Sequence, residues 1–187
     1  MMRITFALSD SQYLANDRSG VMVGLPLTVQ LDAGVLSLED EGTPLWCQRS
    51  TPGRPMLKPF SLERCAFHGR ITQMEVWQSS RDVVCQVLLD CGTALRMDLW
   101  DPDLSASQSG TPYGLQQGDW LLGQVLLQGL LAFSHGDLLW QPVTGVIVDI
   151  QRLYLEPLSP AFGTLHWFHG LPGQSFAPDQ VFVTIQV

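Results

Sequence analysis

Charge is scarce in this sequence. Only 15% of residues are Asp, Glu, Lys or Arg, where about 25% is usual for a soluble domain. A surface so poor in charge must rely on Gln, Ser, Thr and Gly for solubility, or be covered in part by a partner. Lysine occurs once, at Lys58, among prolines, which argues against Schiff-base chemistry. No apolar run reaches about 18 residues, so no membrane span is expected. Met1 to Asp10 carries one Arg and a short apolar run, too little for a signal peptide, and the expected compartment is the cytoplasm. The sequence also lacks the phosphate-cradling G-x-x-x-x-G-K-S/T loop, the H-E-x-x-H metal pair, the G-x-S-x-G elbow and the G-x-G-x-x-G turn. No local motif therefore supports an enzyme. A site assembled from distant residues is the remaining route to one.

The four cysteines, Cys47, Cys65, Cys85 and Cys91, form no C-x-x-C pair. They are expected to be reduced thiols serving as small apolar side chains. Cys65 or Cys85 with His68 is a conceivable nucleophile–base pair. Cys65 and His68 are three apart, however, and in a regular strand they point to opposite faces. His166 and His169 flank two aromatics without further ligands in reach, and Asp98, Asp101 and Asp103 do not match a calcium-loop spacing. No metal and no cofactor is expected.

Hydrophobic residues make up 45% of the chain, and their spacing is that of β-strands. Val21, Val23, Leu25, Leu27, Val29 and Leu31 alternate with period two, and Asp32-Ala33-Gly34 reads as the turn of a hairpin continuing into Val35–Leu38. Three prolines and a glycine between 49 and 60 mark a connector. Strands are then expected at 65–77, 82–90 and 93–100. A long glycine-bent strand opens at Gly118-Asp119-Trp120, and a fifth spans Leu138 to Leu155. The last seven residues alternate strongly and are expected to pair with Arg3–Leu8. Helix is expected only as short turns, within 9–17 and after Leu104.

Five strands with a long, curved fourth resemble the OB-fold. The local cues are His68-Gly69-Arg70-Ile71 in the first strand and Gly118-Asp119-Trp120-Leu121-Leu122-Gly123 opening the fourth. The resemblance covers residues 65–155 and implies an all-β, OB-like five-stranded barrel with added hairpin and strands from both termini. In that reading residues 1–60 form an N-terminal hairpin layer, 61–155 the barrel, and 156–187 a loop and terminal strand.

OB barrels hold single-stranded nucleic acid or oligosaccharides over strands two and three. Stacking aromatics and nearby cations supply the binding. The corresponding outward set is Arg70, Trp77, Arg81, Gln86, Arg96 and Trp100. The chain's net charge of −8 opposes a nucleic-acid coat, but the stretch 49–81 holds six of the ten basic residues against Glu63 and Glu75. The expectation is a non-catalytic binding protein whose partner is another polypeptide or a second copy. Single-stranded nucleic acid at the basic stretch is the alternative.

Overall fold

The computed structural model describes residues 2–9, 21–38, 45–59, 61, 64–78, 82–105, 110–131, 139–152, 155–159, 162–165 and 180–187. The protein is all-β. Its strands are β1 (Arg3–Ser9), β2 (Pro26–Leu36), β3 (Trp46–Ser50), β4 (Met56–Pro59), β5 (Arg64–Gln78), β6 (Asp82–Asp90), β7 (Ala94–Ser105), β8 (Trp120–Leu126), β9 (Gln128–Leu130), β10 (Val143–Arg152), β11 (Leu155–Ser159), β12 (Phe162–Leu165) and β13 (Gln180–Gln186). Among the described residues there is no α-helix, and no helix long and apolar enough to cross a membrane. The stretches 10–20, 106–109 and 166–179, which include the possible turn at 9–17 and the His166/His169 pair, lie outside the described residues.

The chain divides into two compact units. One is Met1–Leu27 with Gly145–Val187, and the other is Thr28–Thr144. In the first, β13 pairs antiparallel with both β1 and β10. The expected pairing of the two ends is present, with Ile4, Phe6 and Leu8 opposite Ile185, Val183 and Val181. All six are buried. The opposite face of the ribbon carries the polar partners, including Thr5 and Thr184, whose hydroxyls lie 2.9 Å apart. Period-two alternation at both ends thus gives one fully dry face, while the other mixes polar pairs with Ala7 and the buried Phe182.

In the second unit the strands form a mixed sheet in the order β9-β2-β7-β6-β5-β8-β3, with β4 added to β5. Every neighbouring pair is antiparallel except β2 with β7, which run parallel. The segment expected as a hairpin around Asp32–Gly34 is instead one continuous strand. Gly34 adopts φ 72, its N–H donates to Asp32 Oδ1 at 2.6 Å, and the register with β7 shifts between Asp32 and Val35. The Asp-x-Gly signal is a bulge, because a side-chain bond to the N–H two residues on serves a bulge as well as a turn. The proline-rich connector likewise yields a four-residue strand, β4, bracketed by Pro55 and ending on Pro59. Proline is tolerated on such a short strand beside a sheet.

β5 organises this unit. Its first half, Arg64–Arg70, pairs with β8, and its second half, Arg70–Gln78, with β6, with a bulge between Ile71 and Gln73. The inner face carries Phe67, Ile71, Val87, Leu89, Leu95, Met97, Leu99, Leu121 and Val125, all essentially inaccessible. Burying each such side chain is worth about 1.5–3 kcal/mol. Gly123 is required by this packing. A Cβ there would meet the Trp46 carbonyl oxygen at 2.1 Å and Phe67 Cε1 at 2.9 Å.

Candidate functional site

Register divides the Thr28–Thr144 unit into an inner and an outer face. Directly opposed residues of paired strands share a face. The outer face therefore contains the row Ser50–Trp120–Arg70–Asp90–Ala94, running across β3, β8, β5, β6 and β7. Farther along the ribbon it contains Glu75–Gln86–Asp98 and then Trp77–Val84–Trp100.

Five of the six residues singled out in the sequence occupy this face, but they do not make one site. Arg81 lies outside the described residues. Gln86 and Arg96 are turned to internal partners. Arg96 Nε donates to Asp32 Oδ2 at 2.5 Å, with both side chains buried. Gln86 Nε2 donates to Asp98 Oδ1 at 3.0 Å, and Gln86 Oε1 accepts the N–H of Leu139 at 2.7 Å. Gln30, fully buried on β2, accepts the N–H of Gln141 at 2.6 Å. Residues 139–141 thus cross the middle of the outer face, held by two glutamine side chains. Among the described residues this segment lies over the middle of the face, and Gln30 and Asp32 of β2 bond to Gln141 and Arg96 there. Buried polar groups so fully bonded act as a fixed support, since each lost partner would leave a desolvated donor or acceptor.

The two ends of the face remain open. At one end Trp77 is 53% and Trp100 37% exposed, on either side of Val84. Two strand spacings put their backbones about 10 Å apart. Val76, on the opposite face of the same ribbon, is 44% exposed. Among the described residues no strand pairs with the other edge of β5 from Gln73 to Gln78. At the opposite end Arg70 is exposed, one strand from the half-buried Trp120. A half-open cavity of about 330 Å³, lined by Thr72, Gln73, Asp90, Thr93 and Gln141 among others, lies by the β6–β7 turn.

Compared with family models, curated proteins and solved structures, this chain gives no significant match. Its chemistry has to be read from the residues themselves.

Thiol chemistry finds no support in that reading. All four cysteines are free and buried. Burial pushes the Cys47 thiol up to about 12 and Cys65 to about 11. Cys85 is raised to about 11, chiefly by burial and then by Asp98 and Glu75, and Cys91 is raised further by burial, Asp90 and Cys47. None is a thiolate near neutrality, and Cys65 faces inward while His68 faces outward. Among the described residues no group of three His, Cys, Asp or Glu could hold a metal ion. Asp101 has a structural task. It accepts the N–H of Tyr113 at 2.9 Å and so holds that residue at φ 56, while the Tyr113 hydroxyl donates to the Trp100 carbonyl at 2.9 Å.

Sequence reasoning missed the surroundings of His68. Its Nε2 lies 3.0 Å from Ser50 Oγ and 3.3 Å from the Thr51 carbonyl, and its Nδ1 lies 3.1 Å from the Arg54 carbonyl. The ring packs on Gly53 and against Trp120, with centroids 5.0 Å apart at 46°. His68 thereby clamps the 51–55 loop that carries Arg54. Ser50 and His68 are 18 residues apart, so only the register of β3, β8 and β5 brings them together.

Proposed function

We propose that this protein is a non-catalytic binding module on an OB-type barrel, docking polypeptide partners through the β5–β6 ribbon. Several pairings support the barrel. The bent β5 serves β8 with its first half and β6 with its second. β7 follows β6, and β2 lies parallel to β7 and antiparallel to β9, which continues β8 after Leu127. An OB-type barrel has the same neighbours, its fifth strand running parallel to the third and closing against the fourth. The fifth-strand position here belongs to β2, ahead of the others in the chain, rather than to the segment 138–155. A 3-10 turn at Pro112–Gly114 stands where many such barrels carry a helix.

One observation carries the functional reading: Val76 and Trp77 are exposed on opposite faces of one ribbon. A ribbon with apolar side chains on both faces and an unpaired edge gains from an added strand or a packed partner surface. Trp is among the residues most enriched at the energetic centre of interfaces. Stacked nucleic-acid bases fit this end less well, because Glu75 and Asp98 occupy the adjoining row on the same face and would repel phosphate.

The test is affinity capture with the wild-type chain and a Val76→Ser/Trp77→Ser variant, read by quantitative mass spectrometry, with sedimentation velocity for self-association. Proteins or self-assembly lost in the variant support the reading. Equal capture and equal sedimentation by both forms overturn it.

A further inference from the structure

β3, the 51–55 loop, β4, the first half of β5 and β8 share a property that the rest of this acidic chain lacks. None of the residues 46–59, 64–70 or 120–126 is Asp or Glu, yet they hold half of the chain's ten basic residues: Arg49, Arg54, Lys58, Arg64 and Arg70. The strands are contiguous, with β3 on β8, β8 on β5 and β4 on β5. A set of strands rich in cations therefore sits on a molecule of net charge −8. Such a set makes a local positive potential irrespective of the net charge.

The cations differ in their ties. Arg54, Lys58 and Arg70 are exposed. Arg49 is exposed and its Nη2 donates to the Tyr113 carbonyl. Arg64 keeps a buried Nε with no hydrogen-bond partner. Among the described residues two carboxylates adjoin these strands: Asp119, whose Oδ2 accepts the N–H of Gln116, and Asp90, opposite Arg70 on β6. Between the cations lies an aromatic surface. Trp120 stands directly across from Arg70 and is braced by His68.

We infer that this face binds single-stranded nucleic acid, with Arg54, Lys58 and Arg70 against phosphates and Trp120 as the stacking surface. Cations alone would suit any polyanion. An aromatic ring beside a guanidinium adds what a base needs, a π face next to a phosphate contact. Among the described residues no helix projects from this sheet to enter a duplex major groove, which favours a single strand. The location differs from the strand two and strand three surface, where Gln86 and Arg96 are buried. It is also separate from the Trp77 ribbon, so the two partners would not compete for the same side chains.

The experiment is fluorescence anisotropy of a labelled oligo-dT with the full chain. Three phosphate contacts predict that affinity falls about twentyfold between roughly 50 and 200 mM salt. Arg54→Gln/Lys58→Gln/Arg70→Gln should weaken binding at least about tenfold and remove most of that salt dependence. Arg3→Gln, in the other unit, and Trp77→Ser should leave binding unchanged. Trp120→Leu should cost about tenfold at either salt, with Trp120→Phe restoring most of it. The three exposed cations can be replaced without touching the core, and circular dichroism verifies the fold. Absence of saturable binding at about 50 µM protein, or equal binding by the triple variant, overturns the inference. So does displacement of the oligonucleotide by poly-glutamate at matched charge, which would assign the face to an acidic polypeptide.

Discussion

The two halves of β5 are one strand under opposite conditions. From Arg64 to Arg70 it lies between β8 and β4, its inner side chains Cys65 and Phe67 inaccessible. From Gln73 to Gln78 it is paired on one edge among the described residues, and Val76 and Trp77 are exposed. The first half holds the fold; the second presents side chains on a scaffold already paid for elsewhere. The bulge between Ile71 and Gln73 divides the two. A one-residue shift exchanges the faces of everything beyond it, and this brings Trp77 to the same side as Arg70.

That contrast can be broken most severely at Phe67. Phe67→Ala should destabilise the protein by about 3–5 kcal/mol, read by urea unfolding. A loss below about 1 kcal/mol would mean the first half is not the core it resembles. Next comes the support beneath residues 139–141. Asp32→Ala leaves Arg96 buried without its carboxylate and should cost about 3–4 kcal/mol. The double change Asp32→Leu/Arg96→Met should recover most of it. Gly123→Ala should cost about 3 kcal/mol by forcing β3 off β8. Protection of the β3 amides from hydrogen exchange should fall first, and uniform loss across the unit would contradict that origin.

Alkaline pH gives a smaller effect. The thiols of Cys47, Cys65 and Cys85 titrate from 9.0 when unperturbed to about 11–12 in the fold. Their folded values are raised, so their contribution is complete below pH 9 and is lost as pH climbs toward 11–12. Each should lower stability by about 1.4 kcal/mol per pH unit in that window. A Cys→Ala variant at these three sites should unfold with a flatter pH dependence. The smallest effect on stability belongs to the second half of β5. Trp77→Ser should change unfolding by no more than about 0.5 kcal/mol while abolishing partner capture. A large destabilisation would mean that Trp77 is packing, not presenting.

What the sequence made legible follows the range of the interaction. Apolar runs set off by turn residues located β5 and β6, and period-two alternation located both terminal strands, because these signals are local. The pairing of the ends was also legible, since two alternating strands each needed a partner. Asp32–Gly34 was misread because a bulge and a hairpin turn share their residue chemistry. Whether β2 doubles back or continues is settled by β7 and β9, far along the chain. The candidate site suffered the same way. Arg70 and Trp77 are seven residues apart, so spacing alone would put them on opposite faces, and only the bulge between Ile71 and Gln73 brings them together. The burial of Gln86 and Arg96 was not legible either, because it depends on Asp32, Leu139 and a segment more than 40 residues away from either. The cation-rich end of the face was visible only as a basic stretch. β8 completes it, and that strand contributes no charge at all.

The nesting of one unit within the other fixes an order of events during synthesis. β2 leaves the ribosome 64 residues before Arg96, the partner of its Asp32, has been made. At about 5–20 residues per second the strand waits several seconds with an alternating apolar face and no neighbour. The Thr28–Thr144 unit can close once Thr144 is out, whereas the pairing of β1 with β13 comes later, since Thr184 lies 179 residues beyond Thr5. The β1–β13 pairing is thus among the last to form. In the growing chain the Ile4, Phe6 and Leu8 stripe stays without Ile185, Val183 and Val181 opposite it until β13 is made.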